Sequence, residues 1–148
     1  MNNFKKSLLS LFVVSLMTSS SFSQENKMQK TEKPAPSKLA VVWTSGDRDV
    51  ALKMVFMYTF NAKKQGWWKD VQFIIWGPSS KLLSEDKEIQ DYLKKMKGQG
   101  IKLLACKACA DSYGVSDKLE ELGVEVKYMG VPLTELLKSD QWKVVTQV

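Results

Sequence analysis

Short apolar runs alternate with segments of helical period from about Lys38 onward, and no other feature of this chain restricts its fold so tightly. The runs are Leu39–Trp43, Val71–Trp76, Ile101–Ala105, Val124–Tyr128 and Lys143–Thr146. The first is apolar at every position, as a strand buried on both faces should be. After it, Ser45-Gly46-Asp47 turns the chain, and Asp47 or Asp49 can cap a helix that reaches about Lys64. Helical segments over Ser79–Leu83 and Asp86–Lys97 follow Gly77-Pro78, with Ser84 a candidate cap for the second. Ser116 can cap a helix that ends at Gly123, and Pro132–Leu137 reads as a short helix. Strands separated by single helices predict a parallel sheet with helices on both faces. In such sheets sites form beyond the carboxyl ends of the strands. Trp43, Trp76 and Cys106 stand at three such ends and Met129 follows a fourth. One apolar, aromatic-lined pocket bordered by these side chains is therefore expected.

The only two cysteines of the 148 residues lie together as Cys106-Lys-Ala-Cys109. They sit where a strand ends and a helical segment begins. The thiolate is the reactive form of cysteine, and free N–H groups with the dipole of a helix start stabilise it. An activated cysteine is the leading chemical idea. The chain has no histidine, which excludes a Cys-His dyad, a His-ligated metal and any serine triad that needs histidine. Two thiolates supply half of a tetrahedral zinc site, and a second chain would have to complete it. No metal and no cofactor is expected.

The amino-terminal segment indicates where this chemistry occurs. Lys5 and Lys6 precede an almost unbroken apolar stretch over Ser7–Met17, then a serine-rich segment. Ser21-Phe22-Ser23 offers small residues at both positions a signal peptidase reads, with cleavage near Ser23, before Gln24. This is the three-part pattern of a secretory signal over residues 1–23, and export to a bacterial periplasm is expected. The apolar stretch is too short for the roughly 20 residues a membrane-spanning helix requires, so no stable anchor should remain after cleavage. Residues 24–37 are polar, contain Lys-Pro-Ala-Pro-Ser and read as a flexible tether. One folded domain is expected over 38–148.

The net charge is +6, of which Lys5 and Lys6 would leave with the signal, so about +4 remains, with lysines scattered among acids. The densest run, Lys94-Lys95-Met96-Lys97, falls where a helix should end, and cations there complement the dipole. No nucleic-acid partner is expected. Val50–Phe60 is apolar nearly all the way round, whereas a helix on a sheet needs only one apolar stripe. A second face packed on another subunit is therefore expected.

Leu104-Ala-Cys-Lys-Ala-Cys-Ala-Asp-Ser-Tyr-Gly-Val115, then a helix and Gly123-Val-Glu-Val, resembles the DsrE/DsrF-like family of sulfur-relay proteins. In that family a cysteine ends the third strand and a Gly-hydrophobic pair follows eight residues later, as Cys106 and Gly114-Val115 do here. The resemblance covers Lys38 to Val148, including Thr44-Ser-Gly-Asp47 and Val131-Pro132-Leu-Thr. It implies a three-layer α/β/α sandwich of flavodoxin-like architecture with a five-stranded parallel sheet. It also implies a homo-oligomer, whether dimer, trimer or hexamer. The family's cysteine accepts sulfane sulfur as a persulfide and passes it on, a role that falls on Cys106; the role of Cys109 stays open. Cytoplasmic relay members work in complexes of paralogous subunits, whereas this chain reads as exported, and no motif names its sulfur donor or acceptor.

Three function classes follow. The first is a sulfur carrier using Cys106, with Cys109 resolving or supporting it. The second is a thiol–disulfide redox protein cycling the pair. A thioredoxin-like fold would place its Cys-x-x-Cys after an early strand of a mixed sheet, and here the pair follows a third βα unit. The third is a binding protein without chemistry. Asp111 and Tyr113, just after the cysteines, are candidates to orient a bound sulfur or ligand, or are ordinary helix residues. Trp67-Trp68, beside Gly66, reads as a packing cap.

Overall fold

The computed structural model describes residue 35 and residues 37–147. The expected signal segment, its cleavage region and most of the tether lie outside them. Five strands form one parallel sheet: β1 Lys38–Trp43, β2 Asp70–Ile75, β3 Lys102–Cys106, β4 Glu125–Lys127 and β5 Trp142–Gln147. Their order is β4-β3-β2-β1-β5. The last strand is longer than Lys143–Thr146 because it pairs with β1 along the whole length of that strand, from Lys38 beside Trp142.

Helical segments fill every connection. Between β1 and β2 run α1 Arg48–Val50, a π-helical stretch Ala51–Phe56 and α2 Met57–Lys64 without a break. Then come α3 Pro78–Glu85 and α4 Lys87–Gly98, α5 Lys107–Ser112 and α6 Ser116–Glu121, and finally α7 Gly130–Lys138. The chain steps outward from β1 to β4 in one direction and returns across the sheet to β5. Right-handed crossovers send connections in one direction to one face. The helices before β4 accordingly share a core with Leu39, Val41, Trp43, Val71, Phe73, Ile75, Leu103 and Ala105. On the second face α7 contributes Leu136 and Leu133 against Ala40, Val42, Ile74, Leu104 and Cys106. Helices do cover both faces, but unequally.

The first face carries an aromatic cluster. Phe56 meets Trp43 and Phe73 at 5.1 Å between ring centroids and Tyr92 at 5.4 Å. Much of the broad apolar surface of Val50–Phe60 is consumed inside the domain: Ala51, Val55 and Phe56 are buried, and Val50, Leu52, Tyr58 and Phe60 pack half-buried against the core. Met54 and Met57 stay 45% and 50% exposed. In the Lys94–Lys97 run, Met96 is buried while the lysines are exposed in the closing part of α4, a solvated helix end. Trp68 is half-buried against the core, while Trp67 stays exposed.

Helix starts differ in part from the expectation. Asp47 does cap α1, its Oδ1 accepting from the Val50 N–H at 2.9 Å. The cap of α4 is Asp86, not Ser84. Asp86 Oδ1 accepts from the Ile89 N–H at 3.0 Å, while the Ser84 hydroxyl donates back to the Lys81 carbonyl at 2.7 Å. A serine in the last turn of α3 finds a carbonyl below it before it can reach the next helix. Nor does Ser116 cap α6; it is the first residue of that helix, and its hydroxyl donates to Asp111.

Asp86 also receives Arg48 Nε at 2.7 Å, tying the first helix to the fourth. The Ile89 N–H first, and then Arg48, hold its carboxyl below the ordinary value of 3.8. A carboxylate lowered on folding stabilises fully above its unfolded pKa, and that stabilisation fades as pH falls through the folded value. Asp86→Ala should therefore cost about 1 kcal/mol near neutral pH, the usual value of a lost cap. Urea unfolding at pH 7 and again below pH 4 checks this: the difference from wild type should shrink in acid, and a constant difference would contradict it.

Candidate functional site: a cysteine pair at the carboxyl edge

Side chains alternate across a strand, so Cys106 shares the second face with Leu104, while Leu103 and Ala105 face the main core. Cys106 is the last residue of β3 and its φ of −71° and ψ of 111° are still extended. The chain then coils into α5, which places Cys109 one turn on. Both cysteines are free. Cys106 is buried at 4% exposure and Cys109 is half-buried. The Cys109 thiol neighbours Cys106 and the Gly77 backbone N–H. Burial first, then the hydrogen bond to Cys106 and its charge, push the Cys109 pKa up, while the Gly77 N–H pulls it down.

The turn that presents this N–H is built from residues the sequence did not mark as functional. Gly77 has φ 72° and ψ −135°, on the side of the backbone map that side-chain-bearing residues avoid. Ser79, fully buried, donates its hydroxyl to the Trp43 carbonyl at 2.7 Å and accepts from the Trp76 N–H at 3.1 Å. One hydroxyl thus joins the ends of β1 and β2 and holds the Gly77-Pro78 turn against Cys109. The signal available was Gly-Pro-Ser directly after an apolar run, where Pro suits the first helical position.

The structure brings together some of the expected site residues and separates others. Cys106, Cys109, Met129 and Trp76 join one apolar cluster on the second face. Met129 is fully buried in that cluster rather than forming an open wall. Trp43 does not join them. It is fully buried on the opposite face, stacked on Phe73 at 5.9 Å, so it borders no shared pocket with Cys106. Asp111 is occupied elsewhere: it accepts from Lys107 Nζ at 2.8 Å and from the Ser116 hydroxyl at 2.6 Å. Lys107 first, then Ser116, hold its carboxyl below the usual range. Asp111 lines a surface cavity of about 250 Å³ with Gly114, Ser116 and Asp117. Tyr113, 42% exposed, lines a groove of about 270 Å³ with Gly46, Pro78, Lys81, Leu82 and Glu85.

Cys106 lines none of the three cavities described here. A cavity of about 330 Å³ does lie on the thinly covered second face, between α7 and the sheet, and includes Gln72, Lys102, Leu104, Lys127 and Trp142 in its lining. Lys127 is the register partner of Cys106, and Leu104 precedes it on the same face. The cavity therefore approaches the cysteine, although Cys106 does not line it. Among the described residues no group of three or more Cys, Asp or Glu is placed to hold a metal ion.

The DsrE/DsrF-like family model matches residues 37–146. The chain belongs to this family. It is similar to a conserved protein of unknown function, BT1422, from Bacteroides thetaiotaomicron, with 39% identity over 74% of this chain and 94% of that one, and a TM-score of 0.71. The ychN protein from E. coli has the same fold at 19% identity, covering 75% of this chain and 98% of that one, with a TM-score of 0.56. No curated protein matches the chain. Membership of the DsrE/DsrF-like family supports a sulfur-relay-type role at the level of the family. The Gly-hydrophobic pair that marks the resemblance has a physical role here: Gly114, with φ 67°, ends the turn after α5, and Val115 packs on the main core.

Exposure and acidity together dictate how the thiols react. In the native protein a bulky maleimide should label Cys109 well ahead of Cys106. The Cys109 rate should climb only at pH values above those that activate a free cysteine, because its thiolate forms later. Peptide mapping after timed labelling checks both; equal labelling of the two cysteines would contradict the burial described.

Proposed function

We propose that the cysteine pair carries sulfane sulfur, with the persulfide on Cys106. The observation that carries this reading is the meeting of two free thiols at the carboxyl edge of a DsrE/DsrF-like sheet. The Cys106 thiolate attacks the outer sulfur of a donor persulfide. A new S–S bond forms at Cys106, the donor's S–S bond breaks, and the donor leaves as a thiolate. An acceptor thiolate reverses the step and carries the sulfur away. Burial of Cys106 among Leu104, Met129 and Leu136 keeps water from the loaded sulfur. The donor and acceptor are thiol compounds or proteins, and neither a metal nor a cofactor takes part. Reversible disulfide formation is the second reading, favoured by the same proximity of two free cysteines in one cluster.

Two further features belong to this proposal. The amino-terminal pattern supports export, so the carrier works in the periplasm; no helix among the described residues is long and apolar enough to cross a membrane. Exposed Met54 and Met57 support self-association through the first helix.

Intact mass after incubation with inorganic polysulfide tests the carrier. Wild type should gain one sulfur atom, removable by a thiol reductant; Cys106→Ser should fall to background and Cys109→Ser should still load. Loss of loading in Cys109→Ser alone would move the role to that residue. Light scattering of the protein from Gln24 onward tests assembly: wild type should be an oligomer, and Met54→Glu with Met57→Glu should reduce it to monomer. A monomeric wild type would remove the interface.

A further inference from the structure

We propose that Cys109 discharges the sulfur held on Cys106 as hydrogen sulfide, closing a Cys106–Cys109 disulfide. This activity rests on the carrier reading above and adds a second fate for the loaded sulfur. Its basis is the placement of the two sulfurs. Cys106 ends β3 and Cys109 lies one helical turn later, and both side chains join one apolar cluster on the second face. In a persulfide on Cys106, the inner sulfur is the atom bonded to the Cys106 Cβ, so it occupies the position of the present Cys106 thiol, beside which Cys109 packs. The outer sulfur is the leaving group. A disulfide needs its two Cβ atoms about 3.5–4.5 Å apart, and neighbours one turn apart on a helix are about 5–6 Å apart, so a small closing movement suffices.

The step balances without an outside oxidant. Cys109 gives its proton to solvent, and its thiolate lone pair forms a bond to the inner sulfur of the persulfide. The S–S bond of the persulfide breaks and its electron pair leaves on the outer sulfur as HS⁻. The sulfane sulfur is reduced to sulfide, and the two cysteine sulfurs are oxidised to the disulfide. A dithiol reductant then returns the pair to the free thiols seen here.

Competition decides which fate prevails. Burial and the neighbouring Cys106 keep Cys109 protonated, which slows its attack, while the Gly77 N–H favours the thiolate. An acceptor that arrives early takes the sulfur intact. A loaded protein left alone releases sulfide. Cys109, half-buried at the mouth of the pair, is thus the residue that limits how long sulfur is stored.

The test uses the full mature chain, loaded with inorganic polysulfide, freed of donor and held without acceptor. Sulfide is measured over time beside intact mass. Wild type should release one sulfide per sulfur lost and finish two hydrogens lighter than the dithiol protein. Cys109→Ser and Cys109→Ala should keep the added sulfur and release none over the same period, with circular dichroism showing that at least one of them is folded. If wild type and both variants hold the sulfur equally, or lose it equally fast, the discharge is overturned while the carrier stands. If wild type never loads, the carrier reading falls and the discharge falls with it. A Cys106→Ser protein that loads and holds sulfur would place the persulfide on Cys109 and overturn the direction of attack proposed here.

Discussion

The handedness of the crossovers is the constraint on which the rest of this structure depends. A right-twisted strand feeding a helix returns to a parallel neighbour on one side only. Three successive steps outward from β1 to β4 therefore stack their helices on a single face, and only the long return to β5 passes over the other. The first face becomes a thick core with Trp43, Phe56 and Phe73 at its centre. The second receives α7, with Cys109 of α5, and retains a cavity of about 330 Å³. The period of two along β3 then assigns Cys106 to that thin face.

Sulfur chemistry makes opposing demands on such a site. A persulfide lasts longer away from water, yet donor and acceptor must reach it. On the carrier reading proposed above, these demands fall to two residues one turn apart: Cys106 is buried among apolar side chains, and Cys109 stands half-exposed beside it. Its own partial burial disfavours the thiolate of Cys109, and the Gly77 N–H partly offsets that cost. Ser79 matters to this balance without touching either cysteine, because its hydroxyl holds the two strand ends that frame the turn.

Much of the architecture was legible before any coordinates. Apolar runs bounded by caps and glycines mark all five strands and the order of the helices, and the Cys-x-x-Cys spacing marks two thiols at a strand end. The misreadings have local causes. Ser84 and Asp86 are both good caps two residues apart, and the choice depended on where α3 ended. Asp111 looked available because its partners, Lys107 and Ser116, are four and five residues away, and their geometry depends on the turn at Gly114.

Trp43 shows most clearly where sequence reading stops. It ends a strand just as Cys106 does, and both stand at the carboxyl edge. Which face each side chain takes depends on the register between strands and on the hand of the connections, and neither is written in any local segment. The sequence by itself determined the elements, their order and the pairing of two thiols at a strand end, because these follow from periodicity and backbone preference over a few residues. The tertiary structure alone decided that Trp76 and Met129 lie with the cysteines, that Trp43 lies behind the sheet and that Gly77 faces Cys109. Those contacts join positions 20 or more residues apart, and only the completed sheet brings them within reach.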